Sequence, residues 1–228
     1  MSHNESGKQK EIRYFRRMLR AFFMLLLMMA VMFILAGRLT YWQTWVYGGT
    51  SVVFLLIASV MFVDKTDLIK ERIKPGPGTK WWDKIFFALY IPLFIILFTI
   101  AGLDAGRFGW TPRLPVSAYI IGYMAYVFSN ALIFWAMSTN RFFSSRVRIQ
   151  TDRGHEVVQE GPYRFVRHPG YVGAIPLTVS ISLVLGSLWA LIPATVIIVL
   201  LIIRTHLEDN TLQRELPGYA DYVKKVRY

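Results

Sequence analysis

The stretch GPYRFVRHPGY, which begins at Gly161 and ends at Tyr171, gathers polar and cationic residues in a chain that consists mostly of apolar runs. It holds two Arg, one His and two Tyr together with two Gly and two Pro, and a long hydrophobic run follows it. Gly161 and Gly170 would let the main chain approach a ligand closely, because glycine has no side chain. Pro162 and Pro169 could equally do no more than delimit helices. The stretch therefore indicates either a binding corner or a boundary between helices.

A second polar segment, RTHLEDNTL, begins at Arg204. Arg204 and Glu208 are four residues apart and share one helix face, while Asp209 lies about 100° further round the helix. If residues 171–203 form an antiparallel helical hairpin, both polar segments lie at the same membrane depth. The spacing then predicts a polar pocket between them. Taken alone, Arg204 and Glu208 also fit an ordinary surface salt bridge.

A metal site is the weaker interpretation of the histidines. His155, His168 and His206 with Glu208 could be imagined as ligands, but their spacing matches no standard ligand motif. The chain has no cysteine, so thiolate metal sites, disulfides and cysteine catalysis are not available. We expect no metal.

The composition indicates which elements must position these residues. The chain of 228 residues is 54% hydrophobic and only 18% charged, with a mean hydropathy of +0.40, which is typical of a membrane protein. Apolar stretches near the ~20 residues that cross a bilayer lie at 21–37, 44–63, 85–103 and 116–137. The run 171–203 is long enough for two short legs, broken at Gly186 and Ser187.

We predict an all-α, polytopic integral membrane protein with about six transmembrane helices that end in a helical hairpin. The first apolar run follows a basic leader, as in a signal peptide, but no small-residue cleavage pattern follows it. We therefore expect this run to be a retained membrane span.

The basic residues predict the orientation. Of the 26 Lys and Arg, 23 lie in segments that six spans place on one side of the membrane, and only Arg38, Arg107 and Arg113 lie on the other. This asymmetry predicts that both termini are cytoplasmic. It also explains the net charge of +12 as loops that face anionic membrane lipids, so we expect no nucleic-acid partner and no obligate protein partner. A transporter or scaffold would be expected to carry charges along its spans, which these spans nearly lack.

The chain divides into two regions. Residues 1–137 would form four spans with a cytoplasmic N-terminal tail. Residues 138–228 would form the catalytic region, which comprises a cytoplasmic loop, the hairpin and a C-terminal cytoplasmic helix. The polar loop 138–170 is long, and loops of that length are usually functional or disordered. Because aromatic and aliphatic residues are spread through it, we expect it to be ordered.

The sequences GHEVV, GPYRFVRHPGYVG, RTHLED and LPGYADYVKKV resemble the isoprenylcysteine carboxyl methyltransferase family, whose wider group includes membrane phospholipid N-methyltransferases. The resemblance implies methyl transfer from S-adenosylmethionine without a Rossmann domain, in a cofactor pocket that the cytoplasmic loop and the C-terminal helix form. It implies a lipophilic small molecule or a prenylated substrate that enters from the bilayer. Asp209 stands where the family often has a second Glu, so the resemblance supports Glu208 better than Asp209.

The resemblance also implies residue roles. Arg204 would meet the methyl acceptor, and Glu208 or Asp209 would be the base if the acceptor were an amine. The residues implied to bind the cofactor are His155, Glu156, Val157, Val158, Tyr163, Arg167, His168, Pro169, Gly170, Tyr171 and Glu208.

Other functions stay open at this point. Within the wider group, the acceptor could be the amine of a phospholipid headgroup or a small thiol. Outside the wider group, the alternative is a sterol-reductase-like enzyme that uses NADPH. Such enzymes typically have a Trp-rich segment before their Arg-His motif, whereas this chain has Gly-Pro-Tyr there.

Overall fold

The structure, a computed structural model, describes residues 2–63, 65–73 and 76–227. For residues 2–15, 17, 66, 67, 70 and 73 it describes the backbone alone. The helices in chain order are α1 (Ser2–Ala36), α2 (Trp42–Phe62), α3 (Thr66–Ile73), α4 (Trp81–Ala101), α5 (Val116–Thr139), α6 (Pro169–Val184), α7 (Leu191–Glu215) and α8 (Tyr219–Lys225). A π-helical segment, Gly102–Phe108, continues α4. The described residues form no β-strand, so the all-α prediction is confirmed.

Five helical segments are long and apolar enough to cross a membrane: Met18–Ala36, Trp42–Phe62, Trp81–Phe108, Val116–Thr139 and Leu191–Glu215. The sixth predicted span is α6, which is apolar but has only 16 residues. At 1.5 Å per residue α6 is about 24 Å long, which is less than the ~30 Å of a bilayer core. The protein is thus a polytopic α-helical membrane protein whose hairpin has one leg that is too short to span alone.

The hairpin of α6 and α7 turns where the sequence predicted it. Gly186 has a φ of +76°, and a Cβ there would lie 2.7 Å from the Tyr119 hydroxyl, so the turn favours glycine. The Ser187 hydroxyl donates a hydrogen bond of 2.5 Å to the buried carboxylate of Asp104. Asp104 also accepts the backbone N–H of Thr111 at 2.6 Å. The hairpin turn is therefore fixed to the π-helical segment.

The opposite end of the bundle brings α3, the segment 140–168 and α8 together, and we call it the basic end. Contacts between distant residues define it: Lys80 pairs with Glu215 at 2.6 Å, and the Lys65 ammonium donates to the Ser138 carbonyl at 2.5 Å. Three of the basic sequence segments, 65–84, 141–167 and the one that begins at Arg204, contribute described residues to contacts at this end. That this end faces the cytosol stays a prediction from the charge asymmetry.

Candidate functional site

A cavity of about 340 Å³ lies at the basic end. Side chains of all six helices from α3 to α8 line it together with the segment 140–168. Every residue that the resemblance implied for cofactor binding lines this cavity: His155, Glu156, Val157, Val158, Tyr163, Arg167, His168, Pro169, Gly170, Tyr171 and Glu208.

The two polar segments of the hairpin contact each other directly. His168 Nε2 lies 3.0 Å from Asp209 Oδ1, and the Tyr171 hydroxyl donates to Glu208 Oε2 at 2.5 Å. The two segments therefore lie side by side at one end of the hairpin, and their depth in a membrane stays a prediction. The loop 138–170 that precedes α6 is folded against the helices, because Phe142, Val147 and Tyr163 are buried.

Glu208 and Asp209 have different surroundings. Glu208 lines the cavity, whereas Asp209 is fully buried and lies outside the cavity lining. Asp209 accepts a hydrogen bond of 2.8 Å from the Tyr219 hydroxyl and lies 3.2 Å from the guanidinium of Arg167. It therefore joins α6, α7 and α8, and a role for it as a base stays a prediction.

His155 lines the cavity with an uncharged imidazole ring. The backbone N–H of Gln150 donates to His155 Nδ1 at 3.2 Å, which assigns the ring proton to Nε2. Burial lowers the pKa of His155 to about 4, although the negative charge of Glu208 opposes this shift. At neutral pH the ring therefore carries no charge and keeps one N–H donor at Nε2.

Arg204 lines the cavity on the same helix face as Glu208, but it pairs with a different carboxylate. Its Nε donates to Asp83 Oδ1 at 2.9 Å, and its Nη2 donates to the Ser145 carbonyl at 2.8 Å. Its guanidinium carbon also lies 4.6 Å from the ring centre of Phe86. The spacing allowed a surface salt bridge between Arg204 and Glu208. In the structure Arg204 instead forms a largely buried ion pair with Asp83, which joins α7 to α4.

Asp83 is the site residue that the sequence analysis missed. It is fully buried in the first turn of α4, accepts the backbone N–H of Val147 at 3.3 Å and lies 3.9 Å from the Arg146 guanidinium. Asp83 and Arg204 are 121 positions apart, so no local spacing reveals the pair. The available signal was an acidic residue at the start of an apolar span, which usually marks a functional or paired position.

A second missed pair holds α3 against the loop. Arg148 donates from Nε and Nη2 to the two carboxylate oxygens of Glu71, at 2.7 and 2.9 Å, in the two-point geometry that strengthens such pairs. Arg148 also bonds Asp152 at 2.7 Å. The hydrogen bonds from Arg148 lower the pKa of Glu71. The pair fixes one wall of the cavity.

A second cavity of about 320 Å³ lies between α6 and α7, and we call it the lateral groove. Three of its seven lining residues are aliphatic, namely Val172, Ile175 and Ile202, and the side chains of Val172 and Ile202 are exposed. His168 and Tyr171 line both cavities. The lateral groove and the first cavity therefore share one wall.

Among the residues whose side chains the structure describes, no cluster of three His, Asp or Glu could hold a metal ion.

Comparison with known proteins assigns the region that builds the site. Residues 120–214 match the model of the isoprenylcysteine carboxyl methyltransferase family. The matched region covers most of α5, the loop, α6 and nearly all of α7. A search of curated proteins found no match for the chain.

Proposed function

We propose that this chain, whose residues 120–214 match the model of the isoprenylcysteine carboxyl methyltransferase family, uses S-adenosylmethionine to methylate the carboxylate of a lipophilic acceptor. One observation supports the proposal: polar residues of the loop and of the end of α7 line the same cavity as apolar residues of the spans. His155 and Glu208 lie in the lining together with Phe86 and Leu201. Such a cavity suits one soluble substrate and one lipophilic substrate.

The residues present fit S-adenosylmethionine, which carries a sulfonium cation, two ribose hydroxyls and an adenine. The volume of the cavity falls in the ~300–1,000 Å³ range of small-molecule sites. Glu208 uses Oε2 to accept the Tyr171 hydroxyl, which leaves Oε1 for a cation or a ribose hydroxyl. The Nε2–H of His155 supplies a donor, and aromatic rings such as that of Tyr163 offer faces for the adenine or the sulfonium.

The chain's contribution to the reaction is binding and alignment. When bound, the cofactor supplies an activated methyl group on sulfur. A carboxylate acceptor is already a nucleophile, so the protein needs no general base. Asp83 and Ser145 hold the Arg204 guanidinium in place, and its Nη1 keeps donors that could orient an acceptor oxygen. Phe86, Phe87 and Leu201 exclude water from the inner part of the cavity.

The lateral groove supplies a path for the acceptor's apolar tail. Its aliphatic residues Val172, Ile175 and Ile202, two of which are exposed, suit an apolar chain that comes from the bilayer. An acceptor with a charged head could then place its head in the first cavity and leave its tail between α6 and α7.

Calorimetry on the detergent-purified protein tests the cofactor. We expect saturable binding of S-adenosylmethionine and no binding of NADPH. Binding of NADPH alone would overturn the proposal in favour of a reductase.

Transfer of a radioactive methyl group tests the acceptor. Purified protein in lipid vesicles is given methyl-labelled S-adenosylmethionine and S-farnesyl-N-acetylcysteine, a prenylated cysteine with a free carboxylate. We expect label that is released by base, as from a methyl ester. Base-stable label on membrane lipid would instead identify an amine acceptor, and base-stable label on a thiol probe would identify a thioether product.

A further inference from the structure

Five arginines line the first cavity, and four of them face a carboxylate. Arg148 pairs with Glu71 and Asp152, and Arg167 lies 3.2 Å from Asp209. Arg204 pairs with Asp83, which also lies 3.9 Å from Arg146. The fifth arginine of the lining is Arg72, from the last turn of α3.

Arg72 has surroundings unlike those of the other four. No carboxylate among the described residues pairs with it, and its one ring contact is with Phe143, whose ring centre lies 5.1 Å from the guanidinium carbon. Burial, and then the positive charge of Arg204, lower the pKa of Arg72. Arg72 therefore carries a partly buried positive charge that forms no direct pair with a described carboxylate.

The position of Arg72 is well defined although it lacks an ion pair. Its backbone carbonyl accepts the Ser145 hydroxyl at 2.6 Å, and its neighbour Glu71 binds Arg148. The Phe143 ring below the guanidinium packs against Gly170, where a Cβ would lie 2.8 Å from the ring. The guanidinium is thus stacked on a ring that the N-terminus of α6 supports, at the wall of the cavity.

We propose that Arg72 binds the carboxylate of the methyl acceptor and so selects acidic acceptors over amines. A planar guanidinium without a carboxylate partner can grip an incoming carboxylate at two points. Arg204, which is paired with Asp83, then orients the carboxylate-bearing head group of the acceptor beside Arg72. An amine acceptor would bring a second positive charge next to Arg72 and Arg204, which is unfavourable in a partly buried site. This inference rests on the proposed function and deepens it.

The test measures acceptor binding without turnover. S-farnesyl-N-acetylcysteine is titrated by calorimetry into protein saturated with S-adenosylhomocysteine, the demethylated form of the cofactor. We expect Arg72→Gln to weaken this binding by about 10–100-fold, since a charge-assisted hydrogen bond is worth about 1.5–3 kcal/mol. Arg72→Lys should lose less, because it keeps the charge without the two-point geometry.

Two controls make the result specific. The carboxamide of the same probe should bind wild type and Arg72→Gln equally, because it presents no carboxylate. Arg164→Ala removes an exposed arginine that lies outside the cavity lining and should leave both affinities unchanged. The thermal unfolding midpoint of Arg72→Gln should stay close to that of wild type, because the backbone contact to Ser145 remains.

Each other outcome overturns a distinct claim. If Arg72→Gln weakens binding of S-adenosylhomocysteine but not of the acceptor, Arg72 holds the carboxylate of the cofactor and the inference is wrong. If Arg72→Gln changes neither affinity, Arg72 binds no ligand. If wild type does not bind S-adenosylhomocysteine at all, the proposed function itself fails.

Discussion

Glu208 and Asp209 are adjacent in sequence, but the helix directs them to different surroundings. Glu208 lines the cavity and accepts the Tyr171 hydroxyl. Asp209 is fully buried and faces His168, Tyr219 and Arg167. One carboxylate is therefore available to a ligand, while the other joins three helices.

Substitution of each carboxylate by its amide should separate these roles. Glu208→Gln keeps the volume and removes the charge, so we expect S-adenosylmethionine to bind about 10–100-fold more weakly, with little change in thermal unfolding. Asp209→Asn removes the charge that faces the buried guanidinium of Arg167, and we expect it to lower the free energy of unfolding by about 3 kcal/mol. Calorimetry and thermal unfolding in detergent measure the two effects.

Asp221→Asn is the matched control, because Asp221 forms only an exposed ion pair with Lys224 and should cost about 0.5 kcal/mol or less. If Glu208→Gln and Asp209→Asn reduced affinity and stability alike, the distinction between the two residues would be lost.

His155 makes the stability depend on pH. Its pKa is about 4 in the folded protein, against an ordinary value of 6.5. Between these values the unfolded chain binds a proton that the folded protein does not bind, so this residue's contribution to stability falls as the pH drops from 6.5 towards 4. In His155→Gln the unfolding temperature should therefore change less between pH 7 and pH 5 than in wild type. Equal changes in the two proteins would show that His155 is readily protonated in the fold.

The sequence predicts the site residues whose relative positions follow from helix periodicity or from a short hairpin. A four-residue interval places Arg204 and Glu208 on one face, and an antiparallel hairpin brings His168 beside Asp209. Asp83 and Arg72 could not be found in this way, because α4 and α3 reach the site only through packing between distant elements. The short length of α6 was predictable as well, because the break at Gly186 and Ser187 leaves room for only a short leg before it.

At the scale of elements, the short helix α3 supports one wall of the site. Its Glu71 holds the largely buried Arg148 at two points, and Arg148 belongs to the loop that presents His155. Helix α3 has only 8 residues, too few to be stable without such contacts. The pair therefore couples α3 and the loop.

Glu71→Ala should loosen this loop. We expect faster trypsin cleavage after Arg146 and Arg153, because the loop loses its contact with α3, and a several-fold weaker affinity for S-adenosylmethionine. Glu160→Ala serves as the control, since the exposed Glu160 side chain makes no hydrogen bond or ion pair among the described residues. Unchanged cleavage in Glu71→Ala would mean that other contacts hold the loop.

The lateral groove predicts a dependence on the length of the acceptor chain. Ile175 lines the groove and lies outside the lining of the first cavity, so Ile175→Trp should fill the groove and leave the polar site intact. We expect the KM for S-farnesyl-N-acetylcysteine to rise by about tenfold, and the KM for the five-carbon S-prenyl analogue to change little. Ile192→Trp, at an exposed position near the hairpin turn, is the control. If the KM rose equally for both probes, the apolar tail of the acceptor would not lie in the lateral groove.

At the scale of the whole molecule, the two ends of the bundle differ in charge, and only one of them contains the first cavity. The far end carries Arg38, Arg107 and Arg113 and is closed by the buried contacts of Asp104 with Ser187 and Thr111. The basic end contains the cavity, which is lined by Arg72, Arg146, Arg148, Arg167 and Arg204. A soluble cofactor made in the cytosol can reach the cavity only if the basic end faces that side.

Thiol labelling tests this orientation directly, because the chain contains no cysteine and an introduced one is its only thiol. Arg113→Cys and Arg164→Cys place it at exposed positions near the two ends of the bundle. In sealed membrane vesicles whose cytosolic face is outward, a membrane-impermeant maleimide should label Arg164→Cys and should leave Arg113→Cys unlabelled until the membrane is permeabilised. The reverse pattern would place the cavity on the face away from the cytosol, where no supply of the proposed cofactor is expected, and would contradict both the orientation and the proposed donor.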